Sequence, residues 1–516
     1  MRISPKMALQ ASLLACKAAA NPMIHSITNL QVRTADACNS LYSALPDQVY
    51  YSNTTIYANE TTQFWNADCV YAPSCVFEPK SAQAMGQGVK LIKAANARFS
   101  LRSGGHMPIP GANSIEEGVL ISTRALNTKT FMTTDKSVAG IGPGQQWVEV
   151  YSWLQQNGLA VNGGKVKDVG VGGYLMGGGI GYFSGNYGWG CDSIVGYEVV
   201  LPDGCVAYVT NSTSTNGTDY SDLFWALRGG HNNFAIVTRF DMATFPIGRT
   251  YGGVTVWAPD AANAWLSAFA NYMADDGGIV DPSTSVDPTI QVTPANGSSS
   301  ISYSVDVIHP QDNVPSAISN WTAISNSTVV LSQATIYDDW TQILPGDNAP
   351  QTRHLFYEVC YKGTLEALTF QRDAIINGSL NELSGLSGLT IASAWSPIGK
   401  TWAESSVRNG GDALGLDPEI DGNFVAGRIE AHWYDESQND QIYDFVERTM
   451  ASVEDKVKQL GIHNPIIYLN EAFITQKPYP TLGHGNSLPR LLNIQSKYDP
   501  DGFIKNNLNH GFPLEY

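Results

Sequence analysis

Gly163-Gly-Lys-Val-Lys-Asp-Val-Gly-Val-Gly-Gly-Tyr-Leu-Met-Gly-Gly-Gly-Ile-Gly-Tyr-Phe-Ser-Gly-Asn-Tyr-Gly-Trp-Gly190 is the stretch that decides how this chain is read: 12 of its 28 residues are glycine. Glycine at that density serves a flexible linker, a phosphate cradle, or backbone that must run close to a flat ligand. A linker would be featureless and serine-rich, whereas here Val169, Val171, Tyr174, Leu175, Met176, Ile180, Tyr182 and Trp189 interleave with the glycines and seek burial. The Walker string G-x-x-x-x-G-K-[ST] does not occur, and G-x-G-x-x-G is missing between residues 163 and 190, so neither a P-loop nor a Rossmann site is supported. Closely approached backbone remains, with N–H groups free to form an anion-binding nest. A second cluster, Arg102-Ser-Gly-Gly-His106, makes a tight turn with an imidazole at its end. Taken alone, His106 reads as an ordinary loop histidine.

Outward from these clusters the elements are short and alternate in type. Apolar spacing predicts a helix over 81–96, strands at Phe99–Arg102, Val119–Ser122 and Ser137–Ile141, and a helix over 145–157 with Trp147, Val150, Tyr151 and Leu154 on one face. Strands follow at Ser193–Leu201, Cys205–Thr210, Ser300–Ile308, His354–Cys360, Phe424–Tyr434 and Pro465–Leu469, then a helix at Ser487–Ser496; residues 41–68 carry few regular signals. This is an α+β layout. A change of pattern near Phe245-Pro246 divides it into a leader (1–35), a first domain (36–248, core 70–248), a second domain (249–465) and a C-terminal segment (466–516).

The chain has 516 residues, 43% of them hydrophobic and 10% aromatic, which excludes disorder as its main state. Its net charge of −17 argues against nucleic acid, which needs a positive face. No apolar run of about 18 residues exists to span a membrane as a helix. Met1 to Ala20 has the basic start, apolar run and small residues of a secretory signal, with Lys17 out of pattern; a leader without function is the competing reading. Cleavage near Ala20 would remove Cys16 and leave six cysteines, an even number suited to an oxidising compartment. No C-x-x-C pair supports a metal site. Sequons stand at Asn53, Asn59, Asn211, Asn216, Asn296, Asn320, Asn326 and Asn377, a mild excess over composition. Together these features favour the secretory pathway.

Five stretches in one order then resemble the FAD-binding domain of the vanillyl-alcohol-oxidase (PCMH) type, and within it the berberine-bridge-enzyme-like branch and its fungal members. They are Arg102-Ser-Gly-Gly-His106, Gly140-Ile-Gly-Pro-Gly144 with Trp147, Val169-Gly-Val-Gly-Gly173 with Gly177-Gly-Gly-Ile-Gly181, Leu227-Arg-Gly-Gly-His-Asn-Asn-Phe-Ala-Ile-Val-Thr238, and Tyr498-Asp-Pro500. The resemblance implies two α/β subdomains around FAD and a substrate domain whose antiparallel sheet, covered by helices, roofs the flavin. It implies a bond from His106 to the flavin 8α carbon. The cysteine that gives many relatives a second link is replaced by Val166, so FAD is expected to be monocovalent. Cofactor contacts are implied for Arg102, Ser103, Gly104, Gly105, His106, Val169, Gly170, Gly172, Gly173, Gly177, Gly178, Gly179, Gly181, Asp192, Val195, Ile236 and Val237, and a disulfide for Cys38 and Cys75.

At the catalytic end the chain departs from the family. Where many of these oxidases carry Tyr-x-Asn-Tyr, this chain reads Tyr468-Leu-Asn-Glu471, with glutamate in the position of the base. Regular strand alternation would set Glu471 opposite Tyr468 and Asn470. Glu471 is either the base, its pKa raised beside an apolar ring, or half of a structural ion pair. Arg428, Glu430 and His432 share one face of their strand, which lines a substrate cavity or meets solvent. The function so implied is oxidation of a small organic molecule by hydride transfer to flavin N5, with O₂ as acceptor and hydrogen peroxide as product. A secondary-metabolite intermediate is the first substrate class, an oligosaccharide oxidised at its anomeric carbon the second. A flavin fold without redox chemistry, acting as a cyclase or binding scaffold, is the rival from another class. The oligomeric state is not legible.

Overall fold

The computed structural model describes residues 31–212, 217–295, 299–337 and 352–516. A first sheet holds β1 (Val49–Tyr50), β2 (Cys75–Phe77), β3 (Phe99–Arg102) and β4 (Val119–Ser122) in the order β1-β2-β4-β3, with β2, β4 and β3 parallel. Parallel strands need crossover connections, and the helix Ala82–Ala94 carries the chain from β2 to β3, which flank β4. That helix starts where Ser81 accepts the Ala84 N–H at 3.1 Å. A helix over 31–44 carries Cys38, whose disulfide to Cys75 ties it to β2.

A second, antiparallel sheet contains β5 (Lys129–Phe131), β6 (Val138–Ile141), β8 (Ile194–Val200), β9 (Val206–Val209) and β10 (Ile236–Ala243), ordered β5-β6-β10-β8-β9. The helix Trp147–Gln155 buries Trp147, Val150, Tyr151 and Leu154, the stripe its spacing predicts. Two short strands, β7 (Leu159–Ala160) and β11 (Phe245–Pro246), pair with each other.

The third sheet is antiparallel and has eight strands: β12 (Arg249–Trp257), β13 (Ser285–Thr293), β14 (Ser300–His309), β15 (Ser327–Ile336), β16 (Arg353–Tyr361), β17 (Thr390–Ile398), β18 (Phe424–Trp433) and β19 (His463–Asn464). Their order is β15-β12-β14-β13-β17-β18-β16-β19. Its two faces differ because side chains alternate along each strand. Ile429, Ala431 and Trp433 pack into one apolar core with the helices Ala262–Tyr272, Leu365–Glu382 and Asn439–Gln459, while Arg428, Glu430 and His432 occupy the opposite face. On β13, Val286, Ile290 and Val292 likewise join that core, and Asp287 and Thr289 face away. After Tyr498 the chain returns to the first sheet, where the Asn509 N–H donates to the Phe99 carbonyl at 2.7 Å.

Two segments differ from expectation. Within 41–68, Thr55–Thr62 is helical although its polar sequence has no apolar stripe; the Thr54 hydroxyl caps it by accepting the Tyr57 N–H. The strand expected at Pro465–Leu469 is absent. Pro465 has no N–H to give, and side-chain acceptors take the next three: Asn464 Oδ1 from Ile466, Thr481 Oγ1 from Ile467 and Glu358 Oε1 from Tyr468. The segment therefore closes in a 3₁₀ turn, Leu469–Glu471.

Candidate active site

A cavity of about 500 Å³ lies where the glycine loops meet the polar face of the eight-stranded sheet. Ser103 joins the loops: its hydroxyl donates to the Pro143 carbonyl at 2.6 Å and accepts the Gly172 N–H at 3.2 Å. Two of them cross with no room for side chains. A Cβ on Gly104 would stand 2.4 Å from the Gly170 nitrogen, and one on Gly170 would stand 2.3 Å from the Gly104 nitrogen. At Gly173, by contrast, a Cβ would meet nothing within 4 Å, so this part of the cavity wall is open.

His106 lines the cavity with its ring stacked on Trp65, centroids 4.3 Å apart, and its Nε2 is buried without a partner. Burial lowers its pKa to about 4, which keeps the imidazole neutral and nucleophilic. Ser103, Gly104, Gly105, Val169, Gly170, Gly172, Gly173, Ile236 and Val237 lie in the same wall. Val166 lines it too, and among the described residues no cysteine does.

Arg102 lines the cavity, and its guanidinium is held in a buried ion pair with Glu60 at 2.5 Å and by a bond to the Gln63 carbonyl, so it also anchors the loop. Several expected contacts are corrected. Asp192 is buried outside the cavity wall, its carboxyl 3.8 Å from Arg228 and grouped with Cys191 and Asp412. Val195 faces outward on β8 and is 44% exposed. Gly177, Gly178, Gly179 and Gly181 stand behind the wall: a Cβ on Gly177 would strike Asn470, one on Gly178 Leu414, one on Gly179 Tyr174 and one on Gly181 the Gly163 carbonyl. They serve close packing.

At the catalytic end the 3₁₀ turn overturns the expected alternation. Tyr468, Asn470 and Glu471 all line the cavity. Asn470 Nδ2 donates to the Tyr468 hydroxyl at 2.8 Å and to the Tyr174 carbonyl at 3.1 Å, pinning the turn to the glycine segment. Glu471 Oε2 lies 3.4 Å from Arg428 Nη1, and Arg428 Nε donates to Glu430 Oε1 at 2.5 Å. Burial raises the Glu471 pKa and Arg428 opposes the rise. Arg428 and Glu430 line the cavity; His432 continues their face outside its wall, 6.0 Å from the His354 ring.

Sequence reasoning missed Trp65, Lys165, His231, Asp287, Asp306, Phe356 and His510, all in the cavity wall. Asp287 and Asp306 are direct cross-strand partners, and Lys165 Nζ donates to Asp287 Oδ1 at 2.6 Å. A carboxylate on an otherwise alternating strand was the available signal.

A glycine cradle, a neutral histidine in its wall and a carboxylate across the cavity suit a flavin-dependent oxidoreductase. Residues 73–209 match the FAD binding domain family. The FAD-dependent monooxygenase prx3 of Penicillium roqueforti is 32% identical over 95% of both chains. Among solved structures, glucooligosaccharide oxidase from Acremonium strictum superposes with TM-score 0.73 at 21% identity, covering 93% of this chain and all of that one. The wild-type BBE-like 1 protein of Physcomitrella patens gives 0.71 at 17%, over 92% of this chain and 99% of the other. The chain belongs to the FAD-linked oxidoreductases with a PCMH-type, berberine-bridge-enzyme-like fold, and it is an FAD-dependent enzyme of small molecules. The residues present fit the cofactor: the open wall at Gly173 is a cradle that a side chain would fill, and His106 is neutral beside it.

Proposed function

We propose that this enzyme dehydrogenates a small secondary-metabolite intermediate, with Glu471 as the base and FAD bonded only to His106. The observation that carries the reading is the placement of Glu471 in one cavity with His106 and the glycine loops, 3.4 Å from Arg428. Bound FAD supplies the two-electron acceptor, with molecular oxygen as terminal acceptor and hydrogen peroxide as product. Ser103, Gly104, Gly105, Gly170, Gly172 and Gly173 would hold it through backbone, with Ile236 and Val237 against it. Glu471 takes the proton of the substrate hydroxyl or acidic C–H as the hydride departs. Arg428 keeps Glu471 ionised until that moment, and Asn470 holds the turn that aims it. Tyr468 and the Arg428–Glu430 pair orient the substrate, whose apolar part meets Trp65 and Phe356. Val166 in place of cysteine supports a single covalent link and weighs against an oligosaccharide substrate.

Glu471→Gln tests the assignment: flavin reduction should slow at least tenfold with the bound flavin spectrum intact, and retention of the wild-type rate would refute it. Similarity to prx3 favours a second reading, monooxygenation. One hydrogen peroxide per turnover supports the oxidase; transfer of an oxygen atom from labelled O₂ into product supports the alternative.

We also propose that residues 36–248 and 466–516 form the FAD domain and 249–465 the substrate domain, and that the protein enters the secretory pathway. The Cys38–Cys75 disulfide supports the latter, as do Asn53, Asn59, Asn211, Asn320, Asn326 and Asn377, all exposed. Asn216, Asn296 and the leader up to residue 30 lie outside the described residues. Among those described, no helix is long and apolar enough to cross a membrane.

A further inference from the structure

Directly beneath the turn that carries Glu471 lies a second carboxyl group, Glu358 on β16, 1% exposed. Its Oε1 accepts the Tyr468 N–H at 2.7 Å and contacts Cys360 Sγ at 3.4 Å; its Oε2 is buried without a partner. Gln476 locks the strand at this residue, accepting its N–H and donating to its carbonyl. Across the sheet, Glu358 stands opposite Arg428 in register, on the face that Arg428 shares with Glu430.

We propose that Glu358 is a positioning residue for Glu471: it anchors the Tyr468–Glu471 turn and, by holding the one proton that the two carboxyls share, keeps the negative charge on Glu471 at the cavity. This rests on Glu471 being the base. The groups facing Glu358 are Cys360 on its own strand, Arg428 with its partner Glu430 on β18, and Tyr468 and Glu471 on the turn, with Asp421 acting on Cys360. Arg428 is the one cation facing Glu358, and it lies within ion-pair distance of Glu471 and Glu430 but not of Glu358. On the Glu471 side Lys165, bonded to Asp287, adds a second positive charge that further favours ionisation there. Two buried carboxyls near one guanidinium do not both ionise at neutral pH, and the charge settles on the one in closer contact with the cation. Burial, then repulsion from Glu471, pushes the Glu358 pKa up to about 8, so its free Oε2 carries the shared proton. When Glu471 accepts a proton from substrate the pair becomes neutral, and loss of that proton to solvent restores the starting state.

Infrared spectroscopy of the holoenzyme tests this through the carboxylic-acid C=O band, without turnover. Burial also raises the pKa values of Asp306 and Asp192, so the Glu358 band is read as the wild-type minus Glu358→Gln difference. That difference should show a buried-acid component present at pH 7 that titrates away near the Glu358 pKa. In Glu471→Gln the repelling charge is gone, and the band's midpoint should fall by about one unit or more. A midpoint that stays put in Glu471→Gln overturns the proposal, whatever that variant does to flavin reduction. A shifted midpoint with a wild-type rate upholds charge sharing but removes Glu471 as base. In wild type, ionisation of Glu358 near pH 8 should add an alkaline inflection to the rate profile; Glu358→Gln keeps the acid limb and loses that inflection. A profile that is scaled but otherwise unchanged assigns Glu358 a structural role only and overturns the proposal.

Discussion

Arg428 Nη1 lies 3.4 Å from Glu471 Oε2 while its Nε holds Glu430, so one guanidinium serves two carboxylates in a cavity wall. Arg428 lowers the Glu471 pKa against the effect of burial. Removing the cation must therefore raise that pKa and require higher pH for the base form. Arg428→Met should move the acid limb of the flavin-reduction profile up by about one unit or more, with the lost rate partly regained in alkali. Stopped-flow measurements across pH check this, and an unmoved acid limb would show that Arg428 does not govern the base.

His106 sits in the cradle with its imidazole kept neutral by burial, which suits it to covalent attachment. Acid-precipitated wild type should retain its yellow colour in the pellet, and His106→Ala should release it to the supernatant. Colour released from the wild type would leave FAD non-covalent.

Gly104 and Gly173 separate folding from cofactor binding. Gly104→Ala puts a methyl 2.4 Å from the Gly170 nitrogen, where only backbone can yield, and should cost about 1–3 kcal/mol of stability. Gly173→Ala meets nothing within 4 Å and should leave the apoprotein's Tm unchanged while weakening FAD binding. Calorimetry of apoprotein and FAD titration decide it; equal losses of Tm would place Gly173 in the packing instead.

Asp306 makes stability fall as pH rises. Burial first, then repulsion from Asp287, pushes its pKa up to about 7, with Lys165 opposing. An unfolded aspartate titrates near about 3.9, so the folded state binds this proton more tightly. Its contribution is full below about pH 4 and is lost as pH rises through the folded value. Asp306→Asn cannot ionise and should gain Tm over wild type at pH 8 relative to pH 4. A difference between the two proteins that is the same at both pH values would rule this out.

The parts legible in the chain are those set by local chemistry. Strand Phe99–Arg102 and the buried stripe of Trp147–Gln155 follow from periodicity, and closely approached backbone follows from glycines set among apolar residues. Those determined the α+β class and, through five ordered motifs, the cofactor. Tertiary structure decided the catalytic end. Alternation placed Glu471 on the far face from Tyr468, but Asn464, Thr481 and Glu358, remote in sequence or off the ladder, take the N–H groups a strand would need. The segment turns instead, and Tyr468, Asn470 and Glu471 reach one cavity. Asp192 left the expected cofactor site for the same kind of reason: its carboxyl packs beside the buried Arg228, 3.8 Å away. Periodicity reports which side of an element is apolar; which polar groups meet across the fold depends on partners hundreds of residues away.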